Sequence, residues 1–140
     1  MLSGHWVIPP GRKTYRSDIT AQLQIKDSLT LHAAAIHVHP FATQISLRDK
    51  TKNTTVFTSN VINHRDRVGL TKITPFVSAD GVVLRAGHHY ELVLDTDNTS
   101  ETMQDMMGSM FLFFHDRELE EKQRQFRVSE SAATDEKSLR

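Results

Sequence analysis

The stretch Thr43 to Ser59, TQISLRDKTKNTTVFTS, constrains the fold more than any other. Two arms rich in alternating and β-branched residues flank the polar run DKTKN. That pattern predicts a β-hairpin. Its neighbours read the same way. In DITAQLQI, Ile19, Ala21, Leu23 and Ile25 alternate with polar residues, which predicts a strand. LTLHAAAIHVHP predicts another, ended by Pro40. VGLTKITPFV is a short strand stopped or bulged at Pro75. SADGVVLRAGHHYELVLDTDN carries turns at Asp80-Gly81 and Ala86-Gly87, then a strand from His89 to Asp95. DNTSE reads as a loop and GSMFLFFH as a last, apolar strand. Many short strands between turn residues predict an all-β fold, an antiparallel jelly-roll β-sandwich. Residues 1–116 form this domain. Residues 117–140 are expected to form a polar extension, RELEEKQRQF reading as a short helix and RVSESAATDEKSLR as a disordered tail.

Composition removes several functions. Lys and Arg number 17, Asp and Glu also 17, so no global field draws the chain to nucleic acid or to an anionic membrane. The basic runs GRK and HRDR are short. Cysteine is absent, which rules out disulfides, thiolate metal sites and cysteine nucleophiles. No apolar run approaches the roughly 18 residues of a membrane span. MLSGHWVIPPG lacks the pattern of a signal peptide. The expected location is the cytoplasm or, where a leader has been removed, the periplasm or the extracellular space. No Gly-rich phosphate loop or Gly-x-Ser-x-Gly elbow occurs.

The chemistry concentrates in AIHVHPF. Strand side chains alternate, so His37 and His39 share one face, preceded on it by Leu31, Ala33 and Ala35. Two neutral imidazoles facing one space suit copper, zinc, iron or nickel. The competing reading is two ordinary strand histidines hydrogen-bonded to backbone. A tight site needs a third ligand. ETMQDMMGSMFLFF holds four of the five methionines, at positions 103, 106, 107 and 110. Thioethers favour copper, and they also fill cores. Met110 reads as core. For Met106 and Met107, packing and ligation compete.

The other candidates carry weaker signals. His5 stands beside Trp6 before a rigid IPPG elbow and reads as a further ligand, a group supporting one, or an unremarkable strand end. Asp105 is expected to position a ligand imidazole by accepting its second N–H. His88 and His89 are candidates for the metal's neighbourhood. His32 points away from His37 and His39 and belongs to a core hydrogen bond or a second site. His64 and His115 read as surface. Asp97 and Asn98 read as turn caps.

PPG after an aromatic, His-x-His-Pro near a strand end, DNT, and Asp-x-Met entering MFLFF occur in that order. The order resembles the C-terminal copper domain of the ascorbate-dependent type II copper monooxygenases, such as peptidylglycine α-hydroxylating monooxygenase and dopamine β-monooxygenase. It is closer to single-domain bacterial relatives, which carry a histidine before the aromatic as His5 stands here. The resemblance covers about residues 5–114. It implies a jelly-roll sandwich and one copper held by His37, His39 and Met107. Asp105-Met106-Met107 occupies the family's Asp-Glu-Met position, and a slip of one residue would make Met106 the ligand. The family's second copper domain and its disulfides have no counterpart here, so oxygen chemistry would need a redox partner or a second copper domain.

Three functions follow as expectations. The first is a copper-binding sandwich domain. The second is an oxidase or monooxygenase subunit activating O2, which needs an open coordination position and an electron source. The third is a structural or interaction domain without metal. The apolar MFLFF run reads as a central strand or partly as an interface strand.

Overall fold

In a computed structural model of the chain, the structure describes residues 5–115 and residue 121. The expected C-terminal helix and tail, residue 121 apart, lie outside the described residues. Among residues 5–115, ten strands and one helical turn follow in order: β1 (Trp6–Ile8), β2 (Gly11–Asp18), α1 (Thr20–Leu23), β3 (Leu29–Val38), β4 (Ala42–Asp49), β5 (Thr54–Asn63), β6 (Leu70–Ile73), β7 (Phe76–Leu84), β8 (Tyr90–Asn98), β9 (Gln104–Met106) and β10 (Gly108–Phe114). They make a five-stranded sheet β2-β8-β4-β5-β6, a three-stranded sheet β10-β3-β7 and a two-stranded ladder β1-β9. Every pairing is antiparallel. No helix among the described residues is long and apolar enough to cross a membrane.

The two larger sheets share their cores, which makes the fold sandwich-like. Leu31 and Ala34 of β3 meet Leu47, Phe57, Tyr90 and Leu92 of the five-stranded sheet. Val38 meets Ala42, Ile45, Val61 and Leu94, with Ile8 and Met106 closing that end. Phe57 stacks on Phe76 across the layers at 4.2 Å between ring centroids. The expected β4–β5 hairpin forms. The Asp49 carboxylate accepts the Lys52 N–H at 3.0 Å, and Asn53 takes the left-handed conformation that asparagine tolerates.

Two expectations need correction. First, DITAQLQI is not a strand. Ile19 and Leu23 are spaced for period two, but four residues is also one helical turn, and the Leu23 N–H donates to the Ile19 carbonyl at 3.0 Å. The Tyr90 N–H donates to Thr20 Oγ1 at 2.9 Å and holds this turn, while Ile19 enters the core. Second, Leu31 does not share a face with His37 and His39. The β3–β7 register shifts between Leu31 and Ala33, and that bulge turns Leu31 inward beside Ala34. The turn expected at Asp80-Gly81 is present without ending a strand. It belongs to an excursion inside β7, where Val77 pairs with Ala33 and Val82 with Leu31, and the Gly81 N–H donates to Ser78 Oγ at 3.0 Å.

The excursion requires glycine. Gly81 has φ +72°, and a Cβ there would collide with Thr30 Cγ2 and come within 3.0 Å of the His32 ring. Gly87 has φ +75° in open space. Gly87→Ala is therefore expected to cost about 1 kcal/mol, the left-handed penalty alone. Gly81→Ala should cost at least about 1 kcal/mol more because it adds overpacking. Urea denaturation of the two variants checks the order, and equal midpoints would contradict it.

Candidate metal centre

The site forms where two ladders meet. β1 pairs with β9, Trp6 opposite Met106 and Val7 opposite Asp105. β10 pairs with β3, Gly108 opposite Val38 and Ser109 opposite His37. Met107 lies between β9 and β10, and its carbonyl accepts the His39 N–H at 3.2 Å. The chain entering β1 and the chain leaving β3 thereby flank the same short segment, one carrying His5 and the other His39. Asn98, almost fully buried, pins this corner. Its side-chain amide donates to the carbonyls of Ile8 at 3.3 Å and Thr102 at 2.8 Å. Its oxygen accepts the Ser100 N–H at 3.1 Å. The DNTSE segment is thus a bracket for β9, and Asn98 caps it as expected. Asp97 instead pairs with Arg12 at 3.0 Å.

Asp105 lies between the two rings. One carboxylate oxygen is 2.8 Å from His5 Nδ1 and 2.9 Å from His39 Nδ1. A carboxylate only accepts, so His5 donates from Nδ1–H, and the His39 Nδ1 faces the same oxygen at ion-pair distance. The hydrogen bond from His5 holds the Asp105 carboxyl below its ordinary range. Desolvation opposes this, and electrostatic interaction with His5 and His39 reinforces it. The ligand atoms of His5, His39 and Asp105 all lie within 4.8 Å of one another. The ring centroids of His5 and His39 are 5.1 Å apart, and those of His37 and His39 5.6 Å. An imidazole bound at about 2.0 Å has its centroid about 3.1 Å from the metal, so two rings at a tetrahedral angle sit about 5 Å apart. These spacings bring the three rings together at one corner, where the Nδ1 atoms of His5 and His39 converge on Asp105. The oxygen–nitrogen distances fit hydrogen bonds rather than the edges of a coordination tetrahedron, which are about 3.3 Å.

The corner faces solvent. The side chains of His5 and Asp105 are more than half exposed, at 59% and 52%, while that of His39 is 23% exposed. His37 is exposed and Met107 half-buried. Ions and small molecules can therefore reach the rings directly.

The remaining candidates lie elsewhere. Met106 is fully buried with Ile8, Val38 and Leu94, and Val38 alternates to the face opposite His37 and His39. It is a core residue. His88 donates from Nδ1 to Asp49 at 2.7 Å. Burial pushes the Asp49 carboxyl up, but hydrogen bonds from His88 and from the Lys52 and Thr51 backbone outweigh it and the net shift is downward. His89 is exposed, its N–H on Thr51 Oγ1. β4 starts just after the His39 turn and ends at Asp49, so His88 and His89 lie roughly 20 Å from His39 at about 3.3 Å per residue. His32 is tied to the Ser78 carbonyl at 3.0 Å and has the His115 ring beside it. His64 accepts from Arg67 at 3.3 Å in a cavity wall.

The sequence named the imidazoles but not Asp105 as an acceptor shared by two of them. Only the β1–β9 pairing brings residues 5 and 105 together. Comparison with family models, with curated proteins and with solved structures finds no match to this chain.

Proposed function

We propose that this protein binds one copper ion at the corner where β1, β3 and β9 meet. His5, His37 and His39 supply imidazole nitrogens, Asp105 orients two of the rings, and Met107 supplies a soft donor to the reduced ion. The observation that carries the reading is the single Asp105 oxygen shared by His5 and His39, with their rings 5.1 Å apart. A carboxylate behind two imidazoles fixes their tautomer and raises their basicity, as around many metal sites. Imidazole alone accepts several metals, and a thioether from Met107, whose backbone carbonyl accepts the His39 N–H, would favour Cu(I). The same proposal gives the two sheets a jelly-roll winding and a distant kinship with the copper domain of type II copper monooxygenases. Its chemistry is copper binding at an open, solvent-facing position. Oxygen activation would require electrons from a redox partner or a second copper domain.

The test is equilibrium dialysis followed by elemental analysis, with Cu(I) held reduced and Zn(II) in a parallel arm. One copper per chain is expected. Met107→Ala should weaken Cu(I) by about tenfold, or about 1.4 kcal/mol, and leave Zn(II) unchanged. Absence of stoichiometric copper would overturn the proposal. Equal loss of both metals in Met107→Ala would remove the thioether from it.

A further inference from the structure

Among the described residues, the two larger sheets have one strand edge without the usual protection. Sheet edges expose unpaired N–H and C=O groups, and soluble proteins blunt them with charges, prolines, bulges or short length. In the five-stranded sheet, edge strand β2 carries Arg12, Lys13, Arg16 and Asp18. The opposite edge, β6, spans four residues, contains Lys72 and is followed by Pro75. In the three-stranded sheet, edge strand β7 is broken by the Ser78–Gly81 excursion. The fourth edge is β10, GSMFLFF, seven residues with no charge and no proline. Its irregularity sits at its last step, between Phe113 and Phe114.

The surfaces beside this edge are apolar on both sides. On the outer face Phe111 is 63% exposed, Phe113 56% and Val77 76%. They are contiguous, because Phe111 pairs with Ala35, Phe113 with Ala33, and Ala33 with Val77. On the inner side a mostly apolar crevice of about 330 Å³ opens along β10, its lining including Ile19, Leu23, Leu112 and Phe114 together with the polar Gln22 and Ser109. An occupant must offer an extended backbone for the hydrogen bonds and uncharged, apolar side chains for both faces.

We propose that a second copy of this chain docks here, β10 against β10 in antiparallel register about Phe111. The strand meets each requirement for its own partner. Pairing about Phe111 sets that residue opposite itself and Phe113 opposite Ser109, so no charge faces another. The chain's formal net charge is zero, so the copies do not repel at long range. The result is one six-stranded sheet, β7-β3-β10-β10-β3-β7, with the two crevices joined under it. The contact is isologous and consumes both edges, so association closes at the dimer and does not run on into a fibre. The inference stands on the sheet alone and is independent of copper.

Sedimentation velocity and a cysteine scan test it. Wild type should sediment as a dimer up to about 100 µM, where a micromolar Kd populates it. Phe111→Lys sets two ammonium groups against each other across the two-fold and should give a monomer with an unchanged far-UV circular dichroism spectrum. Val68→Lys, an equally exposed position away from β10, should remain a dimer. The chain has no cysteine, so Phe111→Cys introduces its only thiol. Mild oxidation should link copies of that variant through residue 111, at the Cα separation of facing strand residues. Val68→Cys should not link. A monomeric wild type, a dimeric Phe111→Lys, equal dissociation by Val68→Lys, or failure of Phe111→Cys to cross-link would each overturn the proposal. A monomeric wild type would leave the edge to another peptide or to residues 116–140.

Discussion

His39→Ala should lower Cu(I) affinity at least about 100-fold while leaving the fold intact, because His39 is where the proposed ligands meet. Its ring lies 5.1 Å from that of His5 and 5.6 Å from that of His37, and its Nδ1 is 2.9 Å from Asp105. Truncating it leaves two imidazoles that were neighbours through it. Asp105→Asn should act more weakly. The amide oxygen still accepts one ring N–H, but the charge and the second acceptor role are lost, and loss of such a supporting group typically costs about 10–100-fold in metal affinity. His88→Ala should leave affinity unchanged, since His88 is engaged with Asp49 at the far end of β4. Competition against a chromophoric Cu(I) chelator under anaerobic conditions measures all three. Equal affinities for wild type and His39→Ala would place copper elsewhere.

Met106→Ala is expected to destabilise the fold by about 2–5 kcal/mol, the range for removing a large buried apolar side chain. Met106 has no exposed surface and packs with Ile8, Val38 and Leu94. Gly108 beside it leaves little room to collapse, since a Cβ there would already approach Leu94 within 3.1 Å. Metal affinity measured well below the melting transition should be unchanged. Met107→Ala should show the reverse, near-native stability with weaker Cu(I) binding. Urea denaturation paired with the chelator titration separates the two methionines. Loss of copper with retained stability in Met106→Ala would move the sulfur ligand back by one position.

These two residues show what a linear reading can carry. Adjacent methionines look alike in a sequence, yet in an extended chain they point to opposite sides, and only the pairing of Met106 with Trp6 decides which one enters the core. The strongly patterned segments were legible. The β4–β5 hairpin, β3 and β10 follow from alternation and turn residues, and all are where those signals put them. β2 was not legible, because GRKTYRSD lies on a sheet edge and exposes most of its side chains, so no apolar period marks it. α1 was misread because Ile19 and Leu23 satisfy both periods. The facing of His37 and His39 was read correctly, but Leu31 was misplaced because a bulge leaves no trace in composition. The partnership of His5 with Asp105 spans 100 residues, and no local rule reaches that far.

The proposed copper site requires imidazoles converging on one metal. Electron spin-echo spectroscopy of the protein loaded with one equivalent of Cu(II) reads them directly, since the remote nitrogen of each bound ring modulates the echo. At least two bound imidazoles are expected in wild type, and fewer in His39→Ala. A wild-type echo with no imidazole modulation, or one that His39→Ala leaves unchanged, would contradict the site described above.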